Sequence, residues 1–424
     1  MTRFAANTLP EWLAYLETQH PQVIDLGLER VGQVRLSLGL TPECPLVLVG
    51  GTNGKGSVSA MLSTMLARAG FKVGTYTSPH ILRYNERIAI NMQPVDDAVL
   101  LASFAAIEAA RGDVTLSYFE FGTLAAVQCF VEARVDVIVL EVGLGGRLDA
   151  VNVFEPDVSV VVSVDLDHQS YLGNERESIG FEKAGIFRHG KPAVCTDPAP
   201  PQRLLQHAAD IGAELYCIGR DFGYTRMENQ WSFHFGARHW HSLPQPALRG
   251  NYQLSNATAA LAVLSLLHER LPVDLGAIKR GLLEVDWPGR FQVLPGRPQL
   301  VLDVGHNPHA VRAMLANLRQ LPFAENRYAV FSMLADKDLE AVADLAAGDI
   351  DGWFVAGLDV ARGQTGEEIA RRLAARGVKN IQVFDQIAQA WKAALSQAGE
   401  NDRIVTFGSF HTVAEVMLTR QLQS

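Results

Sequence analysis

The sequence predicts an α/β protein built from two doubly wound domains, and three observations carry that expectation. Apolar runs of strand length alternate with helical patterns along most of the 424 residues. A glycine-rich loop joins the first such run to a helix. A Pro- and Gly-rich stretch, "DWPGRFQVLPGRP" at 286–298, divides the alternation into a longer and a shorter part. The chain also exceeds one ordinary hydrophobic core, so more than one domain is expected. A composition of 48% hydrophobic and 20% charged residues is that of a globular chain, with no low-complexity tract or repeat. The net charge of −9 counts against a broad nucleic-acid footprint, although it leaves room for a local basic pocket. No apolar run reaches the length of a membrane span, and "MTRFAANTLPEWLAYLE" lacks the unbroken apolar core of a signal peptide. It reads as an entry segment plus a helix. Cys44, Cys129, Cys195 and Cys217 have no metal-like or redox spacing and are expected to be reduced, mostly buried thiols. These features predict a cytoplasmic protein without membrane or nucleic-acid partners.

The elements follow in order. "PLVLVGG" at 45–51 is a strand, and the apolar positions Val58, Met61, Leu62, Met65, Leu66 and Ala69 mark one face of the next helix, which Gly70 can end. "FKVGTYTS" at 71–78 is the next strand, completing a βαβ unit with the loop at the strand's carboxyl edge. "VDVIVLEVG" at 135–143 and "VSVVVSVDL" at 158–166 are further buried strands. The alternating aromatics of 222–240 suggest an antiparallel excursion, and a long helix at 253–270 closes the first domain. Beyond the 286–298 stretch, strands are predicted at 299–304, 328–334, 352–357, 380–384 and 402–407, with helices between them. The predicted architecture is therefore a P-loop-type, mostly parallel sheet domain over 1–288, followed by a smaller Rossmann-like doubly wound domain over 289–424. Two such domains meeting face to face would leave a cleft.

The chemistry starts in the loop "GTNGKGS", 51–57. Aligned on Gly54-Lys55, the usual G-x-x-x-x-G-K-[ST] pattern would place glycine at 49 and a hydroxyl at 56; Val49 and Gly56 stand there, and the hydroxyl arrives at Ser57. The glycines still let backbone N–H groups approach an anion at a helix N-terminus. Lys55 supplies a point charge for phosphate, and Ser57 can reach Mg²⁺. Glu141 ends one apolar strand and His168 follows another, both near the loop in a parallel sheet. A carboxylate suits Mg²⁺ there, whereas imidazole is a less usual ligand for a hard cation. A cap or ion-pair role remains the alternative for Glu141, and a hydrogen-bonded loop role for His168. In the second domain "LVLDVGHNP" brings Asp303, His306 and Asn307 after a strand, and "RIVTFGSF" brings Gly408 and Ser409; helix capping explains each of these nearly as well as a site does.

Together these segments resemble the folylpolyglutamate synthase family within the Mur ligase group of ATP-dependent acid–amino-acid ligases. The similar stretches are "GTNGKGS", "TSPHI" (77–81), "YFEFGT" (118–123), "EVGLGGRLDAVN" (141–152), "DHQSYLG" (167–173), "EKAGIFR" (182–188), "LRGNYQLSNA" (248–257), "WPGRFQ" (287–292), "DVGHNP" (303–308) and "GSFHTVAEV" (408–416), in family order over most of the chain. GTNGK[GT]S is this group's own form of the loop. The resemblance implies that Thr52, Asn53, Gly54, Lys55, Gly56, Ser57, Asn256, Arg290 and Asp303 bind ATP. It implies that Ser57 sits at one Mg²⁺ and that Ser78, Glu141 and His168 bind a second. Lys183 matches a lysine carried as a carbamate, in which CO₂ turns a cation into an oxygen ligand. Pro79, His80, Phe119 and Phe121 match a pterin pocket, where Phe119 or Phe121 could stack on a flat ring. His306 and Ser409 match positions near glutamate. Two departures stand out: Val304-Gly305 replaces the family's usual Gly-Ala, and Tyr252 stands where some members have His.

The function implied is glutamate addition to dihydropteroate and to reduced folates through an acyl phosphate, with Lys55, Lys183 and His306 as catalytic candidates. ATP and two Mg²⁺ ions are implied, and a monovalent cation is left open. His306 would act as a base or a positioning group for the glutamate amine. The wording "YQLSNA" and "GSFHTVAEV" is similar to bifunctional bacterial members; a member limited to folylpolyglutamate synthesis is the alternative. A Mur-type ligase for peptidoglycan precursors normally carries an extra N-terminal domain, for which the 50 residues before the loop leave no room. A regulatory P-loop protein is disfavoured because no N-K-x-D motif is present. The chain is expected to be a monomer.

Overall fold

The computed structural model describes residues 4, 6–22, 24–360 and 362–422. Of the N-terminal segment, residues 1–3 and 5 lie outside that range, and a helix occupies Leu9–Thr18. The chain folds as two compact units. The first runs to Ala247 and resumes over Gln253–Val285; the second takes Leu248–Tyr252 and everything from Asp286 onward.

The first unit is organised by an eight-stranded sheet. Its strands are β1 (Leu46–Gly50), β2 (Val73–Tyr76), β3 (Ile88–Ile90), β4 (Gln93–Pro94), β5 (Val137–Glu141), β6 (Val158–Val161), β7 (Pro192–Cys195) and β8 (Glu214–Cys217), in the spatial order β4-β3-β2-β5-β1-β6-β7-β8. All neighbours from β2 to β8 are parallel, and only β3 and β4 add antiparallel pairs. The uninterrupted burial of "LVLVG" in β1 and "VIVLE" in β5 is what a sheet covered on both faces requires. Register then fixes the chemistry: Val49 pairs with Glu141, Gly50 with Val161, and Tyr76 with Leu140. The carboxyl ends of four strands thus come level along one edge.

The helix Lys55–Arg68 leaves that edge and is buried along most of its length. Gly281, in the helix Leu275–Glu284, lets the two helices approach closely; a Cβ there would lie 2.7 Å from the Met65 Cα. The antiparallel excursion is a three-stranded sheet of β9 (Phe222–Arg226), β10 (Gln230–Phe235) and β11 (Arg238–Pro244), with Phe222, Trp231, Phe233 and Leu243 buried. The helix expected over 253–270 ends at Leu266, because Pro272 cannot continue it and its predecessor is biased to extended backbone. Nor does it close the unit, since Leu275–Glu284 follows with Asp274 capping it. Strands β7 and β8 escaped prediction because four-residue runs carry little periodicity. Cys129, Cys195 and Cys217 are buried free thiols, and Cys44 is partly exposed.

The second unit carries a six-stranded sheet. Its strands are β12 (Gln292–Leu294), β13 (Gln299–Leu302), β14 (Arg327–Phe331), β15 (Gly352–Ala356), β16 (Ile381–Phe384) and β17 (Arg403–Phe407), ordered β12-β13-β17-β14-β15-β16. β12 is an antiparallel edge strand and the other pairs are parallel. The 286–298 stretch, read from the sequence as a boundary, therefore contributes a strand to this unit. Its core gathers Val301, Phe331, Trp353, Val405 and Phe407.

Candidate active site

In the first unit the loop's shape follows from two glycines. Gly51 has φ +144° and Gly54 has φ +89°. Space is as restrictive as conformation: a Cβ on Gly54 would lie 2.7 Å from Asn256 Oδ1 and 2.9 Å from Val162 Cγ1. The segment after β6 braces the loop. Asn53 N–H donates to Ser163 Oγ (3.0 Å), which donates to the Asn53 carbonyl (3.0 Å), while Thr52 N–H donates to the Ser163 carbonyl (2.7 Å). Thr52 Oγ1 accepts from Asp165 N–H (2.9 Å) and donates to the Asp165 carbonyl (3.0 Å). The Lys55 ammonium turns back onto its own loop, donating to the carbonyls of Gly51 (3.0 Å) and Thr52 (3.3 Å). That is the cradle of a strand–loop–helix anion site, whose N–H groups and helix dipole favour phosphate. Asn256 is buried behind it and donates to Gln253 Oε1 (2.9 Å), and Gln253 Nε2 reaches the buried Ser57 Oγ at 3.5 Å.

Glu141 closes β5 beside the loop, 4% exposed, and its Oε2 accepts from Ser78 N–H (3.2 Å). His168 is partly exposed, adopts φ +50° and donates its backbone N–H to Asp167 Oδ1 (2.8 Å). Lys183 is 4% exposed, and burial, reinforced by repulsion from Lys55, pushes its ammonium down to about 7 despite the attraction of Asp167 and Asp149. Asp149 is its counterpart. Burial pushes that carboxyl up to about 7, opposed by N–H groups of Leu144, Val151 and Gly143 and by Lys55. It accepts from Leu144 N–H (2.8 Å) and Val151 N–H (3.1 Å), holding the turn after Glu141. In the sequence Asp149 is one letter of "RLDAVN" with nothing to mark a role; its nearness to Lys55 and Lys183 is purely tertiary.

The donors suit a hard cation. Ser57 offers a hydroxyl, Ser78 another and Glu141 a carboxylate. Among the described residues no three His, Cys, Asp or Glu side chains form a ready-made metal cluster. An ion held here would need hydroxyl, phosphate and water oxygens to complete its shell, which is the habit of Mg²⁺.

A ring surface lies at the same edge. The Phe119 ring rests on Gly143, where a Cβ would fall 2.6 Å from Phe119 Cζ, and its centroid is 5.8 Å from that of Tyr76. His80 Nδ1 accepts from Arg87 Nε (2.9 Å), and the Arg87 guanidinium lies 5.4 Å from the Tyr84 and Tyr118 rings. Pro79 is exposed, next to His80 in the chain. Phe121 must be withdrawn as a stacking residue. It is fully buried, packed against Phe104 at 5.6 Å and Trp12 at 6.5 Å, because two residues along a helix turn Phe121 away from the face that carries Phe119.

In the second unit the polar candidates meet beyond β13 and β17, neighbours that pair Leu302 with Thr406. Asp303 is buried and accepts from Gly305 N–H (2.7 Å) and Phe291 N–H (2.9 Å); burial pushes its carboxyl up to about 6, against these bonds and the nearby Arg290 charge. The Arg290 guanidinium sits 5.0 Å from the Phe410 ring and the His306 ring 6.0 Å from it. Phe410 is thus a platform within "GSFHTVAEV" to which the sequence reading gave no role. His306 Nδ1 donates to the Val304 carbonyl (3.0 Å), which leaves Nε2 as the basic nitrogen. Asn307 and Ser409 are helix caps, accepting from Ala310 N–H (2.9 Å) and Thr412 N–H (3.0 Å). The Ser409 hydroxyl is further tied to Thr412 Oγ1 at 2.6 Å.

Comparison with known proteins agrees with this geometry. Residues 49–264 match the Mur ligase middle domain, and residues 289–410 the Mur ligase glutamate ligase domain. The dihydrofolate synthase/folylpolyglutamate synthase of Escherichia coli (strain K12) is 43% identical over 414 residues, covering 97% of this chain and 96% of its own. The corresponding Haemophilus influenzae protein is 38% identical, with 97% of each chain covered. The structure of E. coli FolC in complex with DHPP and ADP superposes with a TM-score of 0.95 at 42% identity, over 100% of both chains. A bifunctional folylpolyglutamate synthase/dihydrofolate synthase with Mn, AMPPNP and L-glutamate bound gives 0.92 at 43%, over 99% of this chain and 100% of that one. The chain belongs to the Mur ligase family, among its dihydrofolate synthase/folylpolyglutamate synthases.

Proposed function

We propose that this chain is an ATP-dependent acid–amino-acid ligase that joins L-glutamate to dihydropteroate, giving dihydrofolate, and to reduced folates, giving folylpolyglutamates. The observation that carries it is the convergence on one sheet edge of the anion-binding loop, Glu141 and the buried pair Lys183 and Asp149. In the reaction a carboxylate of the folate substrate takes the γ-phosphoryl group of ATP, and the α-amine of glutamate then displaces phosphate from the acyl phosphate. The carboxylate and the triphosphate repel one another, so the first step depends on neutralising charge. The loop N–H groups and Lys55 bind the phosphates, with Lys55 exchanging its loop carbonyls for phosphate oxygens. Bound Mg²⁺, held by Ser57 at one site and by Ser78, Glu141 and His168 at a second, supplies further positive charge and aligns the transferring group.

Lys183 acts as a carbamate. Its amine, largely neutral above pH 7, adds CO₂ and loses a proton to give an anionic carboxylate that can ligate cations. Phe119 gives the pterin a stacking face, with Pro79 and His80 beside it. In the second unit Arg290 and Asp303 contact the nucleotide, and His306, through Nε2, positions the glutamate amine or accepts its proton; the Ser409 turn lies nearby. An enzyme using ATP, glutamate and reduced folates works in the cytoplasm, and one chain carrying both units acts as a monomer, which sedimentation would check. Phosphate release from ATP that requires both glutamate and dihydropteroate, and separately both glutamate and tetrahydrofolate, tests the activity. Release with neither acceptor would overturn it, and release with tetrahydrofolate alone would leave only folylpolyglutamate synthesis.

A further inference from the structure

Phe119 and Gly143 meet where two elements converge: the start of the helix Tyr118–Glu132 and the turn that Asp149 holds after Glu141. A third piece of chain fastens both. His20 Nε2 donates to Asp25 Oδ2 (2.9 Å), and His20 Nδ1 accepts from Thr115 Oγ1 (3.0 Å), just ahead of the Ser117 helix cap. Gly27 N–H donates to the carbonyl of Leu148, in the turn (3.1 Å). Arg30, in the first turn of the helix Glu29–Ser37, joins the two attachments. Its Nη1 lies 2.8 Å from Asp25 Oδ2, and its Nη2 donates to the Asp25 carbonyl (3.0 Å) and to Glu120 Oε1 (3.1 Å). The Glu120 side chain is buried, and its other oxygen accepts from Ser117 N–H (2.7 Å), completing the capping box. A carboxylate so buried requires a charged partner, and Arg30 supplies it.

We propose that Arg30 is a positioning residue for the pterin-bearing acceptor, an inference that rests on the reading of Phe119 as its stacking face. Arg30 acts through Glu120 and Asp25 rather than on the substrate. Phe119 precedes Glu120 in the chain, so the ion pair that fixes Glu120 also fixes the first helical turn and the ring it carries. The same guanidinium holds Asp25, and with it the segment whose Gly27 binds the turn beneath that ring. The planar fork of donors serves two carboxylates and a carbonyl at once, which the point charge of an ammonium does not. The anion-binding loop is braced instead by Ser163 and Asp165, so loosening this network should spare ATP.

Steady-state kinetics on the full chain test this, with dihydropteroate, tetrahydrofolate, ATP and glutamate varied in turn. Arg30→Met should raise the KM for both pterin acceptors about tenfold and leave those for ATP and glutamate within about twofold of wild type. Arg30→Lys should recover part of the loss, since one charge still reaches Glu120. Asp25→Asn, at a partly exposed position, should raise the acceptor KM about threefold. An unchanged acceptor KM in folded Arg30→Met would overturn the proposal, as would equal loss against all four substrates, the mark of general destabilisation. If Arg30→Met does not fold, Asp25→Asn decides in its place by the same criterion. Gly143→Ala, which moves Phe119 independently, separates this inference from the reading beneath it. A raised acceptor KM there, without one in the Arg30 variants, defeats Arg30 alone; no change in either defeats the stacking face as well.

Discussion

Gly54 is the position where the loop's geometry can be tested most directly. Alanine there must adopt φ near +89°, a left-handed conformation that costs a non-glycine residue on the order of 1 kcal/mol. Its methyl group would also lie 2.7 Å from Asn256 Oδ1 and 2.9 Å from Val162 Cγ1, both buried and flanked by packed elements. Overpacking of this kind costs about 1–3 kcal/mol. The sum, roughly 2–4 kcal/mol, corresponds to about a 30- to 1000-fold penalty on whichever state needs the native loop. Gly54→Ala should therefore raise the KM for ATP by a factor in that range, or lower the unfolding midpoint if the loop holds its shape. ADP release at saturating glutamate and dihydropteroate, with calorimetric melting alongside, reads both. Gly70→Ala is the control: Gly70 follows the same helix at φ +98° with nothing within 4 Å of an added methyl, so only strain is introduced. It should cost about 1 kcal/mol of stability and leave the KM alone. A Gly54→Ala enzyme with wild-type KM for ATP and wild-type melting would refute the account of the loop.

Lys55→Ala should reduce ATP-dependent ligation below detection while the protein stays folded, losing only the bonds from Lys55 Nζ to carbonyls of its own loop at 3.0 and 3.3 Å; near-normal turnover would contradict its phosphate role. Lys183→Ala should be inactive and partly rescued by short-chain carboxylic acids, which replace the carbamate oxygen atoms; absence of rescue counts against the carbamate. The low lysine pKa also has a sign in stability. Because it is depressed from 10.5 to about 7 on folding, the unfolded chain binds the extra proton between those values, so wild-type stability rises with pH from about 7 to 10.5. Lys183→Met should flatten that rise in chemical denaturation measured across the interval, and an unchanged slope would show that the amine is not held neutral. Gly143→Ala should displace the Phe119 ring, whose Cζ lies 2.6 Å from the added methyl, and raise the KM for dihydropteroate several-fold with little change for ATP. An unaltered acceptor KM would remove Phe119 as the stacking face.

The anion-binding loop was legible in the sequence because its determinants are local: a buried strand, glycines at the turn, a lysine at the helix start. Glu141 was legible for the same reason, since a carboxylate ending an apolar run must sit at a sheet edge. The strands of the second unit could be read from their alternation with helices, whereas β7, β8 and β12 were too short to show a period. The Phe119–Phe121 choice shows where local pattern stops: both belong to one apolar helix, and only packing against Trp12 and Phe104 decides which ring is core.

What the sequence determined by itself was the family, the loop and the order of elements, since each rests on spacing along the chain. What tertiary structure alone decided was the company each group keeps. Lys183 and Lys55 stand far apart along the chain, yet burial and repulsion from Lys55 push the Lys183 ammonium down to about 7, while burial pushes the Asp149 carboxyl up to about 7. Burial and Coulomb energy act through space, and no reading of residues in series supplies those distances.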